Sequence, residues 1–326
     1  MIKKQLSKIK IINNIYTKVK WRERDLSNGS EHPDKSFYVI RRHSEAAGLM
    51  SFAMTNLGDI SWAISKGYTP VIDMMNYKNS LMPDSYVGKH NSWDDYFEQP
   101  GDYTMKDLEN AQNIHLGTID IKSEFPDYPI LKSVREVRMW RDLARRYLRP
   151  HKKYIKEADD YYKTNFDGQR VLGVLARGTD YLNKRPKGHP VQPDVDHLIG
   201  KGKEYVEKYK CDCIYIATED SQIYSTMDNV FPNMLYSYQK NRYHFEGDSY
   251  LSDVLNKTDN KDLTSESLSE DELFKNIYER NRQYPVSLLV LSKADYLVAG
   301  ATSGTYGALL LTDGYKDEFI FDEGLY

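Results

Sequence analysis

Short runs of β-branched and aliphatic residues alternate with amphipathic stretches along this chain, and this alternation constrains its fold more than any other feature. Residues 37–40 have the composition of a strand, and residues 46–66 carry apolar side chains at helical spacing. Residues 70–73 have the composition of the next strand. Strand, helix and strand in this order predict a parallel unit with a right-handed crossover. The pattern therefore predicts an α/β fold.

A second α/β series follows a strongly helical middle region. A capping box formed by Ser269 and Glu272 predicts the start of one of its helices, and Pro285 predicts the start of another. The chain of 326 residues is long enough for two domains. We predict an N-terminal segment over residues 1–36, an acceptor-side α/β lobe over residues 37–160, and a donor-binding Rossmann-like lobe over residues 161–326.

Composition excludes several classes of protein. Hydrophobic residues make up 40% of the chain and the net charge is -3, so neither disorder nor nucleic-acid binding is indicated. Cys211 and Cys213 fall on one face of a predicted strand, where they do not close a disulfide. No apolar run approaches the ~18 residues of a spanning helix. We predict a cytoplasmic protein.

Two segments are strongly basic. Residues 1–20 carry six lysines and no acid, which predicts either a solvated terminal helix or an amphipathic helix in peripheral contact with the inner membrane surface. Residues 134–156 carry nine cations and two acids around an apolar stripe. This second segment is either a solvated helix face or a surface for phosphates or anionic lipid. The predicted stripe consists of Val134, Val137, Trp140, Leu143 and Tyr147.

Three candidate sites follow predicted strands of the second lobe, at the sheet edge where ligands bind in open α/β folds. After the first strand, Arg177 enters a turn where its guanidinium either bridges phosphate oxygens or pairs with Asp180. After the second strand, the carboxylates of Glu219 and Asp220 either accept hydrogen bonds from a nucleoside or cap the next helix. The first candidate site contains Arg177, Gly178, Thr179 and Asp180. The second contains Thr218, Glu219 and Asp220.

The third candidate site is a turn rich in glycine and hydroxyl residues. It contains Thr302, Ser303, Gly304 and Thr305, and it either binds an anion at a helix N-terminus or packs as a tight turn. Asp194 and Asp196 have the D-x-D spacing of some metal-dependent sugar transferases. They also stand where a helix begins and acids are favoured, so we predict no metal site.

In the second lobe, the order of these motifs resembles the GDP-fucose-dependent fucosyltransferases of the α1,6 and nodulation-factor type. It resembles the protein O-fucosyltransferases more distantly. The matching residues, in chain order, are Leu175 to Asp180, Gln192-Pro193, Ala217 to Asp220, Leu291 to Val298, and Thr302-Ser303.

The resemblance implies a GT-B-like fold, in which two Rossmann-like lobes face a cleft, and an inverting, metal-independent glycosyltransferase. It implies no cofactor, with a nucleotide-sugar donor, GDP-fucose, as co-substrate. The acceptor would be a glycan or a lipid-linked sugar in bacterial surface polysaccharide synthesis. If the roles of the family's motif residues apply at the matching positions, Arg177 would hold the donor diphosphate and Ser303 would contact phosphate. Glu219 or Asp220 would lie near the nucleoside.

The chain departs from the family pattern at several positions. Leu175 stands where the family has a histidine, and Gly178 stands where it has a second arginine. Ser287 and Arg185 stand at or near the positions where the family has two carboxylate residues. The departures leave three alternatives open, namely another nucleotide-sugar donor, a hydrolase of sugar nucleotides, and a non-catalytic nucleotide-binding module. For a transferase, the candidate bases are Asp180, Glu45 and His43.

Overall fold

The computed structural model describes residues 21–119, 121, 123–178, 184–238, 242–243 and 269–326. The predicted amphipathic helix within residues 1–20 lies outside the described residues, and so do Thr179 and Asp180. Among the described residues, no helix combines the length and the apolar character needed to cross a membrane.

The first sheet has four strands in the order β1-β4-β2-β3. Strand β2 runs parallel to β3 and to β4, while β1 closes the edge in antiparallel fashion. The predicted parallel strand–helix–strand unit is therefore confirmed. The elements of this part are β1 (Arg24–Leu26), β2 (Phe37–Arg41), α1 (Leu49–Ser65), β3 (Thr69–Asp73) and β4 (Ile114–Leu116).

The middle region is helical, as predicted. It contains 3-10 turns at Asp84–Tyr86, Ser92–Asp95, Met105–Glu109 and Tyr128–Lys132, followed by α2 (Val134–Tyr147) and α3 (Lys152–Phe166). On α2, Val137 and Trp140 are buried as the stripe predicts, but Val134 is exposed. The prediction is wrong at Val134 because, at 3.6 residues per turn, this position is rotated by about 120° from buried Trp140 and lies beside the buried face of the helix.

The second sheet has five parallel strands in the order β7-β6-β5-β8-β9. Every residue of β5, β6 and β8 is buried, which explains why these strands are apolar throughout. The elements are β5 (Val171–Leu175), α4 (Val195–Tyr209), β6 (Cys213–Ala217), α5 (Ser221–Val230), β7 (Leu235–Tyr236), α6 (Glu270–Leu291), β8 (Tyr296–Gly300), α7 (Ser303–Leu311) and β9 (Asp317–Phe321).

Helix α6 corrects one sequence prediction. Its capping box of Ser269 and Glu272 is present as predicted, but no new helix begins at Pro285, since α6 continues through that residue without a break. Pro285 and the following residues to Leu291 are all buried. Packing of this half of the helix therefore outweighs the backbone hydrogen bond that proline removes.

The core is continuous between the two sheets. A single cluster of buried apolar residues includes Ile40 and Leu57 near the first sheet and Leu297 and Leu309 near the second. Helix α7 packs on α1 and α2, and α3 packs on α6. The predicted lobe boundary at residues 160/161 falls within α3, and the bounds of the two lobes remain a prediction.

The two cysteines are structural. Cys211 and Cys213 are both free and buried, in agreement with the prediction that they form no disulfide. Burial raises the pKa of the Cys211 thiol to about 11 and that of Cys213 to about 12. Both side chains therefore stay protonated and unreactive near neutral pH.

Candidate functional site

The carboxyl ends of three adjacent strands bring the predicted motifs to one edge. Strand β5 lies between β6 and β8, all three in parallel, so the residues that follow them emerge side by side. The chain order reverses at this point, because β6 follows β5 on one side and β8 lies on the other. Such a switch point is where open parallel sheets leave a ligand crevice.

Arg177 and Glu219 form the charged centre of this edge. The Nη1 atom of Arg177 lies 3.2 Å from Oε1 of Glu219, and the backbone N–H of Gly178 donates to the same oxygen at 3.2 Å. The two side chains are 29% and 18% exposed, so both are fixed yet reachable from solvent. A guanidinium and an adjacent N–H therefore converge on one anionic oxygen, which is the arrangement that a phosphate oxygen requires.

Gly178 allows the ends of β5 and β6 to approach closely. A Cβ atom at this position would lie 2.3 Å from Cβ of Asp220 and 2.4 Å from one of its carboxylate oxygens. No side chain fits without moving Asp220. This contact gives a physical reason for the departure at Gly178, because an arginine there would require a different position for the start of α5.

Asp220 and Thr218 have structural roles. The Oδ1 atom of Asp220 accepts hydrogen bonds from the N–H groups of Gln222 and Ile223 at 2.8 and 3.0 Å, which caps α5. The Thr218 hydroxyl accepts from the Asp220 N–H at 3.2 Å, and both side chains are buried. Of the three residues predicted here, Glu219 has the carboxylate that faces the crevice.

The turn between β8 and α7 presents a helix N-terminus at the same edge. The Thr302 hydroxyl caps α7 by accepting from the Thr305 N–H at 3.2 Å, and Thr305 is buried. Gly304 has no room for a side chain, because a Cβ atom would lie 2.3 Å from the Tyr284 hydroxyl. Ser303, the first residue of α7, is partly exposed. Thr302, Gly304 and Thr305 therefore shape the turn, and Ser303 stays the candidate for contact with a ligand.

Gln192 supports this turn and is a site component missing from the predicted set. Its side-chain N–H group donates to the Ala301 carbonyl at 2.8 Å, while its Oε1 atom is buried and has no hydrogen-bond partner within the described residues. A Cβ at Gly300 would lie 2.4 Å from that oxygen. The sequence signal was the Gln192-Pro193 match.

A second missing component is the short segment 242–243. The Tyr243 N–H donates to the Glu219 carbonyl at 2.8 Å, and the Ser221 N–H donates to the Tyr243 carbonyl at 3.0 Å. These bonds fix the backbone on either side of Asp220. No local motif in the sequence indicated this pairing.

The basic residues at the end of β2 and just after it divide into buried and exposed groups. Arg42 forms a buried ion pair with Asp59 at 2.6 Å, and buried Arg41 donates to the carbonyls of Trp21 and Arg22 at 2.9 and 3.1 Å. Both arginines therefore hold the first lobe together. His43 and Glu45 are exposed and stay candidates for an acceptor-side base.

The two lobes are in contact where the middle of α7 packs on the first turn of α1. Gly307 of α7 has no room for a side chain, because a Cβ atom would lie 2.3 Å from Cε of Met50 in the first turn of α1. Helix α1 begins beyond the carboxyl end of β2, and α7 begins beyond that of β8. The carboxyl edges of both sheets are therefore brought towards each other at this contact.

Two departures from the family pattern, Ser287 and Arg185, and the D-x-D residue Asp194 have a defined place. Ser287 is fully buried in α6 and lies 2.8 Å from the Tyr215 hydroxyl, so it faces the core. Arg185 is exposed and has a left-handed backbone with φ of 43°. Asp194 caps α4 by accepting from the His197 N–H at 2.8 Å, as the structural alternative to a D-x-D metal site predicts.

Comparisons with known proteins identify the fold. No family model and no curated protein matches the chain. POFUT1 in complex with GDP-fucose has a TM-score of 0.51 at 9% identity, over 90% of this chain and 99% of that chain. POFUT1 in complex with GDP has a TM-score of 0.50 at 9% identity, over 88% and 99%. Fucosyltransferase NodZ from Bradyrhizobium matches at 0.48 and 12% identity, over 85% and 93%.

The POFUT1 likenesses confirm the predicted fold class, an α/β protein with two Rossmann-like lobes in the GT-B-like arrangement. The chain therefore has a fucosyltransferase-like fold.

Proposed function

We propose that the protein is a glycosyltransferase that binds a nucleotide-sugar donor, GDP-fucose, at the carboxyl edge of the second sheet. The observation that carries this proposal is the convergence of Arg177, the Gly178 N–H and the N-terminus of α7 on that edge. The fold supports it, since the structures it resembles include a complex with GDP-fucose. The proposed donor site contains Arg177, Gly178, Glu219, Ser303 and the residues that shape their turns.

The chemistry of the donor fits these groups. The oxygen of an acceptor hydroxyl attacks the anomeric carbon of the sugar, the bond from that carbon to the diphosphate breaks, and the hydroxyl proton passes to a base. A single displacement of this kind inverts the anomeric configuration. Arg177, the Ser303 hydroxyl and the N–H groups of α7 neutralise the departing diphosphate, so the proposal needs no metal ion.

Glu219 has two proposed roles in this site. Before the donor binds, its carboxylate holds the Arg177 guanidinium in place at 3.2 Å. The donor diphosphate carries more negative charge than one carboxylate, so Arg177 binds the diphosphate in place of Glu219. The freed Glu219 oxygens then accept hydrogen bonds from hydroxyl groups of the nucleoside.

The acceptor side of the proposal rests on the exposed groups of the first lobe. We propose a glycan or lipid-linked acceptor in the cleft, in bacterial surface polysaccharide synthesis, with His43, Glu45 or Asp180 as base. We also propose a cytoplasmic enzyme in peripheral contact with the membrane.

One screen tests the donor site directly. Thermal unfolding is measured with GDP, UDP, CMP and ADP for the wild type, for Arg177→Gln and for Arg146→Gln, whose arginine is exposed on α2. A nucleotide at about 100 times its Kd adds ~2.7 kcal/mol of stability. We expect GDP to raise the unfolding temperature of the wild type and of Arg146→Gln by several degrees, with the effect lost in Arg177→Gln. Equal stabilisation of all three proteins would refute the assignment.

A non-catalytic nucleotide-binding module is the second candidate. It is favoured by Leu175 and Gly178, which lack the side chains that the resembled enzymes use. Donor turnover separates the alternatives, because a transferase consumes GDP-fucose only with an acceptor, a hydrolase consumes it without one, and a binding module consumes none.

A further inference from the structure

One side of α2 combines positive charge with exposed apolar side chains. Arg135, Arg138 and Arg146 lie on the side opposite the buried residues of the helix and are exposed. None of the three forms an ion pair within the part of the chain that the structure describes. The α2 cationic face, as we name it, consists of Val134, Arg135, Arg138, Met139, Asp142 and Arg146, and it carries three cations and one exposed carboxylate.

The position of Arg135 is not explained by helix stability. Arg135 stands in the first turn of α2, at the end of the helix dipole that disfavours cations. Arg145 and Arg146, by contrast, stand in the last turn, where cations are favoured, and Arg145 pairs with Asp313 at 2.8 Å. The charge of Arg135 lowers the stability of the helix, and Arg135, Arg138 and Arg146 are all exposed to an external partner.

Apolar side chains flank the arginines. Val134 is 70% exposed and Met139 is 49% exposed, and they are two of the five large apolar residues that are exposed in the described part of the chain. At 100° per residue they fall on either flank of the arginine row. Cations beside exposed aliphatic groups are typical of a helix that lies in a membrane interface.

We infer that the α2 cationic face docks on an anionic lipid bilayer. The guanidinium groups of Arg135, Arg138 and Arg146 bind lipid phosphates, while Val134 and Met139 enter the boundary between headgroups and acyl chains. A bilayer explains both features of the face. A nucleic acid or an anionic glycan would gain from the arginines but not from the two aliphatic side chains.

Cosedimentation with vesicles tests the inference on the full chain. The partition constant is measured at 0.1 M salt with phosphatidylcholine vesicles and with vesicles that contain 30% phosphatidylglycerol. We expect binding only to the anionic vesicles, and binding to neither composition overturns the inference. In Arg135→Gln/Arg138→Gln/Arg146→Gln we expect partitioning to fall about a hundredfold, since each cation near such a surface contributes roughly fivefold.

A matched variant controls for net charge. Lys66, Lys187 and Lys203 are exposed on other parts of the molecule, so Lys66→Gln/Lys187→Gln/Lys203→Gln loses the same charge elsewhere. We expect this control to partition within about threefold of the wild type. Equal losses in both triple variants would overturn the inference. So would wild-type partitioning of the α2 variant combined with loss of binding on deletion of residues 1–20.

A second variant tests the apolar contribution. In Val134→Ser/Met139→Ser we expect vesicle binding to fall about tenfold, because two exposed aliphatic groups no longer enter the bilayer. Unchanged vesicle binding by this variant, together with tight binding to heparin or RNA, would assign the face to a polyanion and overturn the inference. Thermal unfolding shows that each variant is folded.

Discussion

At the scale of single residues, the site depends on a close contact between the ends of two strands. Gly178 touches Asp220, Glu219 holds both Arg177 and the Gly178 N–H, and Asp220 caps the next helix. Each residue therefore fixes the position of the next. A substitution in this group should affect both stability and ligand binding.

Gly178→Ala tests the contact. A Cβ atom 2.3 Å from Cβ of Asp220 forces the two backbone segments apart, and we expect a loss of about 1–3 kcal/mol of stability together with loss of GDP binding. The control is Gly200→Ala, since Gly200 lies in α4 with nothing within 4 Å of the added atom. That change should raise stability by ~0.5–1 kcal/mol. Urea unfolding and GDP titration measure both effects, and a Gly178→Ala protein as stable as the wild type would contradict the contact.

Glu219→Gln separates the two proposed roles of Glu219. Loss of the carboxylate frees Arg177 from its partner at 3.2 Å, so inorganic pyrophosphate should bind about threefold more tightly. The affinity for GDP should rise less than the affinity for pyrophosphate, because the nucleoside hydroxyls lose a charged hydrogen-bond acceptor. Isothermal titration of both ligands gives the ratio. If both ligands gain equally, Glu219 acts only on Arg177, and its role towards the nucleoside is excluded.

At the scale of elements, the N-terminal half of α6 is joined to the loop that follows β3. Phe274 of α6 stacks on Tyr86 with ring centroids 4.5 Å apart and meets His90 edge-on at 5.0 Å. His90 in turn lies 2.8 Å from Asp95. The contact connects an element of the second lobe to the first lobe, and one of its members is a histidine, whose charge depends on pH.

This contact predicts a pH dependence of stability. The hydrogen bond with Asp95 raises the pKa of His90 above its usual value of 6.5 despite partial burial. Because the folded-state pKa is the higher one, its contribution is fully present below pH 6.5 and is lost as the pH rises through the folded-state pKa. We expect the free energy of unfolding to fall above pH 6.5 in the wild type and to fall less in His90→Asn. Urea unfolding between pH 6 and 9 measures this, with His197→Asn at an exposed position as control.

If His90→Asn and the wild type lose the same stability over that range, another group carries the pH dependence. The neighbouring Asp94 is the first such group to consider. Burial raises the pKa of Asp94 from 3.8, and a carboxyl group with a raised pKa destabilises the folded state at higher pH only up to that pKa.

The strands and helices were largely predictable from the sequence, because burial on one or both faces leaves a period in the apolar residues. The edge position of Arg177, Glu219 and Ser303 followed from the same reasoning, since each motif directly follows a buried strand. Pro285 was misassigned because the packing of α6 is a tertiary effect that local propensity does not contain. The pairing of Tyr243 with Glu219 joins segments that no local pattern connects.

The Arg177–Glu219 pair and the hydrogen bond from Gln192 to the Ala301 carbonyl also lay beyond the sequence, although Gln192 belongs to a matched motif. Both depend on distances between segments that lie far apart in the chain, and the sequence gives only their order. The sequence placed Asp220 and Glu219 together as site candidates. Their division into a buried cap and an exposed carboxylate needed the geometry of the turn.

At the scale of the whole molecule, the two sheets share one core, and α7 is one of the elements that join them. It packs on α1 and α2 through one face, while its N-terminal turn belongs to the candidate donor site. A change at the contact between α7 and α1 should therefore alter stability. It should also alter nucleotide binding, although neither contacting residue faces the ligand.

A double-mutant cycle at Met50 and Gly307 tests this connection. Met50→Ala removes a buried side chain and should cost about 2–5 kcal/mol, while Gly307→Ala places a methyl group 2.3 Å from Cε of Met50. In the double variant the new methyl enters the space that Met50 has left, so the combined loss should be smaller than the sum by about 1 kcal/mol or more. Urea unfolding gives the four free energies. Additive losses of stability would show that Met50 and Gly307 do not interact. GDP affinities that follow the same non-additive pattern as the stabilities would show that the contact between the lobes positions the donor edge.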